Sequence, residues 1–118
     1  MKTILVAEDN ESNYILMTYI LKRDYQIDRA HNGQEAVDMV NQGNYDLVLM
    51  DIKMPIMDGL EATEKIKAAH PNLPIIALTA NAFDSDRQLA IKAGCDDFLS
   101  KPVNSQKCLA AIEKFIGK

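Results

Sequence analysis

The chain has 118 residues, 47% hydrophobic and 25% charged, with 17 acidic against 13 basic side chains and a formal charge of −4. One domain of about 100–150 residues accounts for that length, and the balance of apolar and charged residues excludes a disordered, collagen-like or disulfide-framed chain. The acidic excess argues against direct nucleic-acid binding, which needs cations against phosphate, and against docking on an anionic membrane through a polybasic patch.

Ile4-Leu5-Val6-Ala7 reads as a buried strand. Ile15, Leu16, Tyr19 and Ile20 then mark the apolar stripe of a first helix, with Asp9 or Asn10 in place to cap it. Gln26 to Ala30 is a weaker strand, followed by a helix carrying Ala36, Val37 and Val40 that stops near Gly43. Leu47 to Met50 is the most apolar strand, expected at the centre of a sheet. A third helix starts at Asp58, with Glu61 three residues on in a capping-box-like pair, and runs to about Ala69 before Pro71. Ile75-Ile76-Ala77-Leu78 is the next strand, and Leu89, Ala90 and Ala93 mark a fourth helix ended by Gly94. Phe98-Leu99 is a short last strand, and Cys108, Leu109, Ile112, Phe115 and Ile116 form the stripe of a fifth helix.

Strands apolar on both faces belong to a parallel sheet covered on both sides. Strict alternation of strand and helix, five times over, predicts a doubly wound α/β fold filling residues 1–118 as one domain. Apolar runs such as Leu47-Val48-Leu49-Met50 fall far short of the roughly 20 residues of a spanning helix. Met1-Lys2-Thr3 leads into too few apolar residues for a signal peptide, so a cytoplasmic protein is expected. Cys95 and Cys108 make no framework or metal motif and read as small buried apolar residues.

In an open parallel sheet, ligands bind beyond the carboxyl ends of the strands, where strand order reverses. Glu8 and Asp9 follow the first strand, Asp51 the third, Thr79 the fourth, and Ser100, Lys101 and Pro102 the fifth. Taken singly, each has an ordinary role as cap, strand end or solvated charge. Together they bring three carboxylates, a hydroxyl and an ammonium to one rim. Clustered carboxylates stay ionised only beside a cation, and an all-oxygen site with room for water suits Mg²⁺. A carboxylate in such a site can act as a nucleophile and carry a phosphoryl group, with Mg²⁺ and Lys101 neutralising charge and Thr79 donating a hydrogen bond. Asp51, after the central strand and below the Lys53-Met54-Pro55 loop, is the expected nucleophile.

The elements Val6-Ala7-Glu8-Asp9-Asn10, Leu49-Met50-Asp51-Ile52-Lys53-Met54-Pro55, Met57-Asp58-Gly59, Leu78-Thr79-Ala80, Ala93-Gly94 and Phe98-Leu99-Ser100-Lys101-Pro102 occur in this order across the chain. In them the sequence resembles the receiver domain of two-component response regulators, with a flavour close to receivers of hybrid sensor histidine kinases. The resemblance implies a flavodoxin-like (βα)5 fold with strand order 2-1-3-4-5. It implies Asp51 as phosphoacceptor from a phosphohistidine donor. It further implies Mg²⁺, for which Mn²⁺ substitutes, bound by Asp9, Asp51, the backbone carbonyl of Lys53, and Glu8 through water. Lys101 pairs with Asp51 and then with a phosphoryl oxygen, Thr79 swings to bond another, and Phe98 is the aromatic switch residue. Lys53 and Asn81 tune phosphoryl lifetime, and the Lys101–Pro102 peptide is cis. Such a protein catalyses its own phosphorylation and dephosphorylation but is primarily a signalling device.

Two departures bear on this. Glu8 replaces the Asp also common in the family, adding a methylene to a water-mediated contact, and Phe98 replaces the frequent Tyr, leaving a switch that works by ring burial alone. Phosphorylation adds about −1.5 to −2 charge, so Thr79 moves toward the phosphoryl group, Phe98 turns inward, and the surface of the fourth helix, fifth strand and fifth helix changes. The partners implied are a histidine kinase or histidine phosphotransfer protein and a downstream effector, met by a monomer. Met1 and the three residues after Phe115 set the expectation of a stand-alone receiver. The alternatives are a receiver excised from a hybrid sensor kinase, or a pseudo-receiver that binds proteins without phosphorylation.

Other uses of this architecture fit less well. A flavodoxin-type phosphate loop would not be Glu8-Asp9-Asn10-Glu11, a dehalogenase-type phosphatase needs an acid where Lys53 stands, and no P-loop motif is present. His31 and His70 read as exposed loop or cap residues. Met54 and Met57 read as loop packing, and Glu61, Glu64, Lys65 and Lys67 as a solvated helix face. For Tyr14, core packing, rim packing and contact with a partner all stay open.

Overall fold

The computed structural model describes residues 1–80 and 84–117. Within them the chain forms β1 (Thr3–Ala7), α1 (Glu11–Leu21), β2 (Gln26–Ala30), α2 (Gly33–Gln42), β3 (Leu47–Asp51), α3 (Gly59–Ala69), β4 (Ile75–Thr79), α4 (Asp84–Ala93), β5 (Asp97–Ser100) and α5 (Ser105–Ile116). The five strands make one parallel sheet in the order β2-β1-β3-β4-β5. The chain leaves β1 toward one edge and returns to the other side of β1 as β3, so strand order reverses between β1 and β3.

Period-2 alternation sends the strand side chains into two cores. Ile4, Val6, Leu47, Leu49, Ile76 and Leu78 meet Met17 and Leu21 of α1 and Cys108, Ala111 and Ile112 of α5. Leu5, Ala7, Val48, Met50 and Ile75 meet Ala36 and Val40 of α2 and Ala62 and Ile66 of α3 on the other face, where Cys95 is partly buried against them. Both faces of the central strands are thus sealed, which is why β3 and β4 read as unbroken apolar runs.

Four helices start on an Asn or Asp whose side chain accepts from the backbone N–H three residues on. The pairs are Asn10 with Asn13, Asn32 with Glu35, Asp58 with Glu61, and Asn104 with Lys107. Gly94 ends α4 in the left-handed region at φ 112°, where a Cβ is disfavoured. Gly59 serves a different need, close approach: its N–H donates to Ile52 O at 2.8 Å, and a Cβ there would stand 2.1 Å from Asp51 O.

Three expectations about packing are corrected. The face of α1 turned to the sheet carries Met17 and Leu21, with Tyr14 and Ile20 partly buried, whereas Ile15, Leu16 and Tyr19 are exposed. The helix is apolar nearly all round, so periodicity offers two stripes, and the Tyr14-Met17-Leu21 stripe takes the core. On α4, Ala90 and Ala93 are buried, whereas Leu89 is half-exposed and so lies off the buried face. Lys67 is not part of a solvated face either. Its side chain is 16% exposed, its ammonium donates to Leu73 O at 2.8 Å and pairs with Asp96 at 2.7 Å, and Asp96 also accepts from Ile75 N–H.

Candidate functional site

Glu8 and Asp9 continue from β1, and Asp51 ends the adjacent β3, so the switch point collects the three carboxylates. One oxygen from each lies within 4.8 Å of the others. Glu8 is fully buried, Asp51 is 5% exposed, and Asp9 faces solvent. Lys101 follows β5, where its N–H donates to Thr79 O at 2.7 Å. From there its side chain reaches over β4, and the ammonium donates to Glu8 Oε1 at 2.9 Å and contacts Asp51 Oδ1 at 3.2 Å. The Lys101–Pro102 peptide is cis.

These groups line a cleft of about 200 Å³ together with Asn10, Lys53 and Thr79. Lys53 is exposed on the rim, and its N–H lies 3.4 Å from Asp51 Oδ1. Thr79 is 1% exposed, and its hydroxyl has no partner among the described residues; the same holds for Glu8 Oε2. Buried polar atoms are rarely left so. They are the atoms a bound ion, its waters or an oxyanion would satisfy. Phe98 is half-buried on β5, with the Arg87 guanidinium 4.8 Å over its ring. Asn81 lies outside the described residues.

The electrostatics follow from burial. Asp51 is pushed up to about 7, first by burial and then by the hydrogen bond and charge of Glu8. For Glu8, burial works upward, but its hydrogen bonds with Asp51 and Lys101 and the ammonium charge outweigh it and hold the carboxyl below the usual range. Burial works downward on Lys101, and the two carboxylates reverse it, so the ammonium is more firmly protonated than usual. Two buried carboxylates beside one ammonium thus leave an excess of negative charge in the cleft that a cation would balance. An all-oxygen donor set with one orphaned carboxylate oxygen fits a small hard divalent ion.

The structure thus brings Glu8, Asp9, Asp51, Lys53, Thr79 and Lys101 to one cleft, with Phe98 two residues before Ser100 on the neighbouring strand. Asn13 and Asp86 also line the cleft and had not been singled out. Asn13 carries a signal, since it lies one turn into the helix that follows the acidic pair. Asp86 depends on where α4 lies, which no local pattern fixes. A larger hollow of about 410 Å³ opens at the other end of the sheet, around Tyr45, His70 and Pro74. No group of three metal-ligating side chains converges there among the described residues. His31 is exposed and bonds Glu35, and His70 caps α3 and bonds Asn41, as loop and cap residues do.

A family model described as the response regulator receiver domain matches residues 4–113. Two-component system protein A of Emericella nidulans is 42% identical over 120 residues, covering 98% of this chain and 18% of that protein. The polar-differentiation response regulator DivK of Brucella anthropi is 34% identical over 119 residues, covering 98% of this chain and 97% of its own. The chain therefore spans less than a fifth of the first relative and nearly all of the second. Among solved structures, the receiver domain of sensor histidine kinase PA1611 from Pseudomonas aeruginosa PAO1, with a magnesium ion coordinated in its active-site cleft, superposes with a TM-score of 0.92. It is 35% identical, over 99% of this chain and 98% of that one. A chain from the co-crystal of the Saccharomyces cerevisiae histidine phosphotransfer protein Ypd1 and the receiver domain of its downstream response regulator Ssk1 gives a TM-score of 0.91. Its identity is 30%, over 97% of this chain and 88% of that one.

Proposed function

Because the chain belongs to the response regulator receiver domains of two-component signalling, we propose that residues 1–118 act as one receiver that accepts a phosphoryl group on Asp51. The donor is a phosphohistidine on a histidine kinase or histidine phosphotransfer protein. An Asp51 carboxylate oxygen bonds to phosphorus as the N–P bond breaks, leaving an acyl phosphate here and an imidazole on the donor.

Each side chain has a defined share. Asp51 is the nucleophile, at the closed end of the cleft. Lys101 turns from Asp51 to an equatorial phosphoryl oxygen, its charge made firm by Glu8. The free hydroxyl of Thr79 donates to a second oxygen, and that pull starts the change at Phe98 and along α4, β5 and α5. Asp9, Asp51, the Lys53 carbonyl and, through water, Glu8 would hold Mg²⁺, with Mn²⁺ as substitute, and the ion would supply positive charge beside the transferring oxygens. Lys53 and Asn81 flank the path of water that hydrolyses the acyl phosphate. The altered surface meets an effector protein, and the receiver acts as a cytoplasmic monomer.

The observation that carries this reading is the single ammonium of Lys101 against both Glu8 and Asp51 in a cleft that also holds an unpartnered Thr79 hydroxyl. Incubation with Mg²⁺ and acetyl phosphate tests it by intact mass. One phosphoryl unit is gained, and Asp51→Asn abolishes the gain. Labelling that survives Asp51→Asn sinks the assignment.

A further inference from the structure

The turn that carries Glu8 and Asp9 is held from outside by a residue with no part in the chemistry above. Arg29, on β2, is only 14% exposed despite its charge. Its Nε donates to Glu8 O at 3.2 Å and its Nη2 to Asp9 O at 3.4 Å. Its Nη1 meets Glu11 Oε2 at 2.6 Å, in the first turn of α1, and the guanidinium lies 4.5 Å over the Tyr14 ring. One planar group thus ties the backbone of both acidic residues to the helix that follows. From the reading that Glu8 and Asp9 help bind Mg²⁺, on which this rests, we propose that Arg29 is a positioning residue that sets the shape of the cation-binding turn.

Two physical effects of Arg29 on the cation have opposite signs, which makes the role testable. As a charge, Arg29 opposes a cation bound by the neighbouring turn, so its removal by charge alone tightens Mg²⁺ binding. As a clamp, it keeps two backbone carbonyls, and with them the carboxylates of the same residues, in one arrangement, so its removal loosens binding. Partners that orient metal ligands from behind typically change affinity about 10–100-fold when lost, and a clamp on the backbone belongs at the lower end. Lysine keeps the charge but lacks the planar fork, so it cannot bridge both carbonyls and Glu11 while lying flat on Tyr14.

The experiment is titration of Mg²⁺ into the metal-free wild-type, Arg29→Ala and Arg29→Lys proteins by calorimetry, with backbone amide exchange at residues 8–10 measured before metal is added. Arg29→Ala is expected to bind about 10-fold more weakly, Arg29→Lys to fall between it and wild type, and the amides of the turn to exchange faster in both. Affinity unchanged or tightened in Arg29→Ala overturns the proposal, and so does full wild-type affinity in Arg29→Lys, which would show that the planar fork is not what holds the turn. Should Arg29→Ala fail to fold, Arg29→Lys decides alone. A wild-type protein that binds no Mg²⁺ removes the metal reading itself, and the clamp with it, a result distinct from wild-type binding with indifferent variants.

Discussion

The backbone of Gly59 lies against the carbonyl of Asp51, so close that a Cβ at position 59 would stand 2.1 Å from Asp51 O and 2.9 Å from Ile52 Cα. The start of α3 is thereby pinned directly behind Asp51. Gly59→Ala must push backbone away from backbone, and we expect a loss of about 2–3 kcal/mol in urea unfolding together with weaker Mg²⁺ binding. Gly43→Ala is the control: its nearest atom, at 3.1 Å, belongs to the Tyr45 ring, which can yield, so the loss there is smaller and the cleft is untouched.

Lys101→Ala is expected to separate metal binding from transfer. Lys101→Ala leaves Glu8, Asp9 and Asp51 in place, so Mg²⁺ still binds in a calorimetric titration. It removes a charged donor to the phosphoryl oxygens, and labelling by acetyl phosphate slows by about 10²-fold. Loss of Mg²⁺ binding in this variant would show that the lysine has been given the wrong role.

The raised pKa of Asp51, about 7, makes cation binding depend on pH. Below that value the cation must displace a proton, so affinity falls by up to about tenfold per pH unit; above it the dependence flattens. The sign for stability is opposite in the metal-free protein. Asp51 holds its proton in the fold but releases it near pH 4 when unfolded, so its contribution is present at low pH and is lost as pH rises through about 7. Mg²⁺ affinity and melting temperature measured from pH 5 to 8 check both trends.

Cys108 is fully buried, and burial pushes its thiol up to about 12. Its neutral form is favoured in the fold, so this contribution is complete below the unfolded pKa near 8.5 and disappears as pH rises toward 12. Stability above pH 9 should decline less in Cys108→Ala than in the wild type. Ellman's reagent at pH 8 should reach Cys108 only after unfolding.

Much of the site is legible in the sequence because it lies at strand ends. A strand announced by Leu47 to Met50 fixes the place of Asp51, and Ile75 to Leu78 fixes that of Thr79, whatever the details between. Caps are legible for the same local reason, as Asp58 with Glu61 shows. What escapes is whatever depends on how finished elements lie against each other. The choice between two apolar stripes on α1 is settled by the sheet rather than by the helix. Lys67 reads as solvated until Asp96, 29 residues away, is brought to it. Arg29 carries no motif, and its three hydrogen-bonding partners belong to a neighbouring strand end and the helix that follows it.

The two cysteines pack into different cores, Cys108 beneath α1 and α5 and Cys95 beside α2 and α3, with the sheet standing between them. A disulfide needs α-carbons within about 7 Å of each other, and two thiols on opposite sides of a sheet do not meet that. Oxidants therefore have no internal bridge between these two thiols with which to tie one face of the sheet to the other.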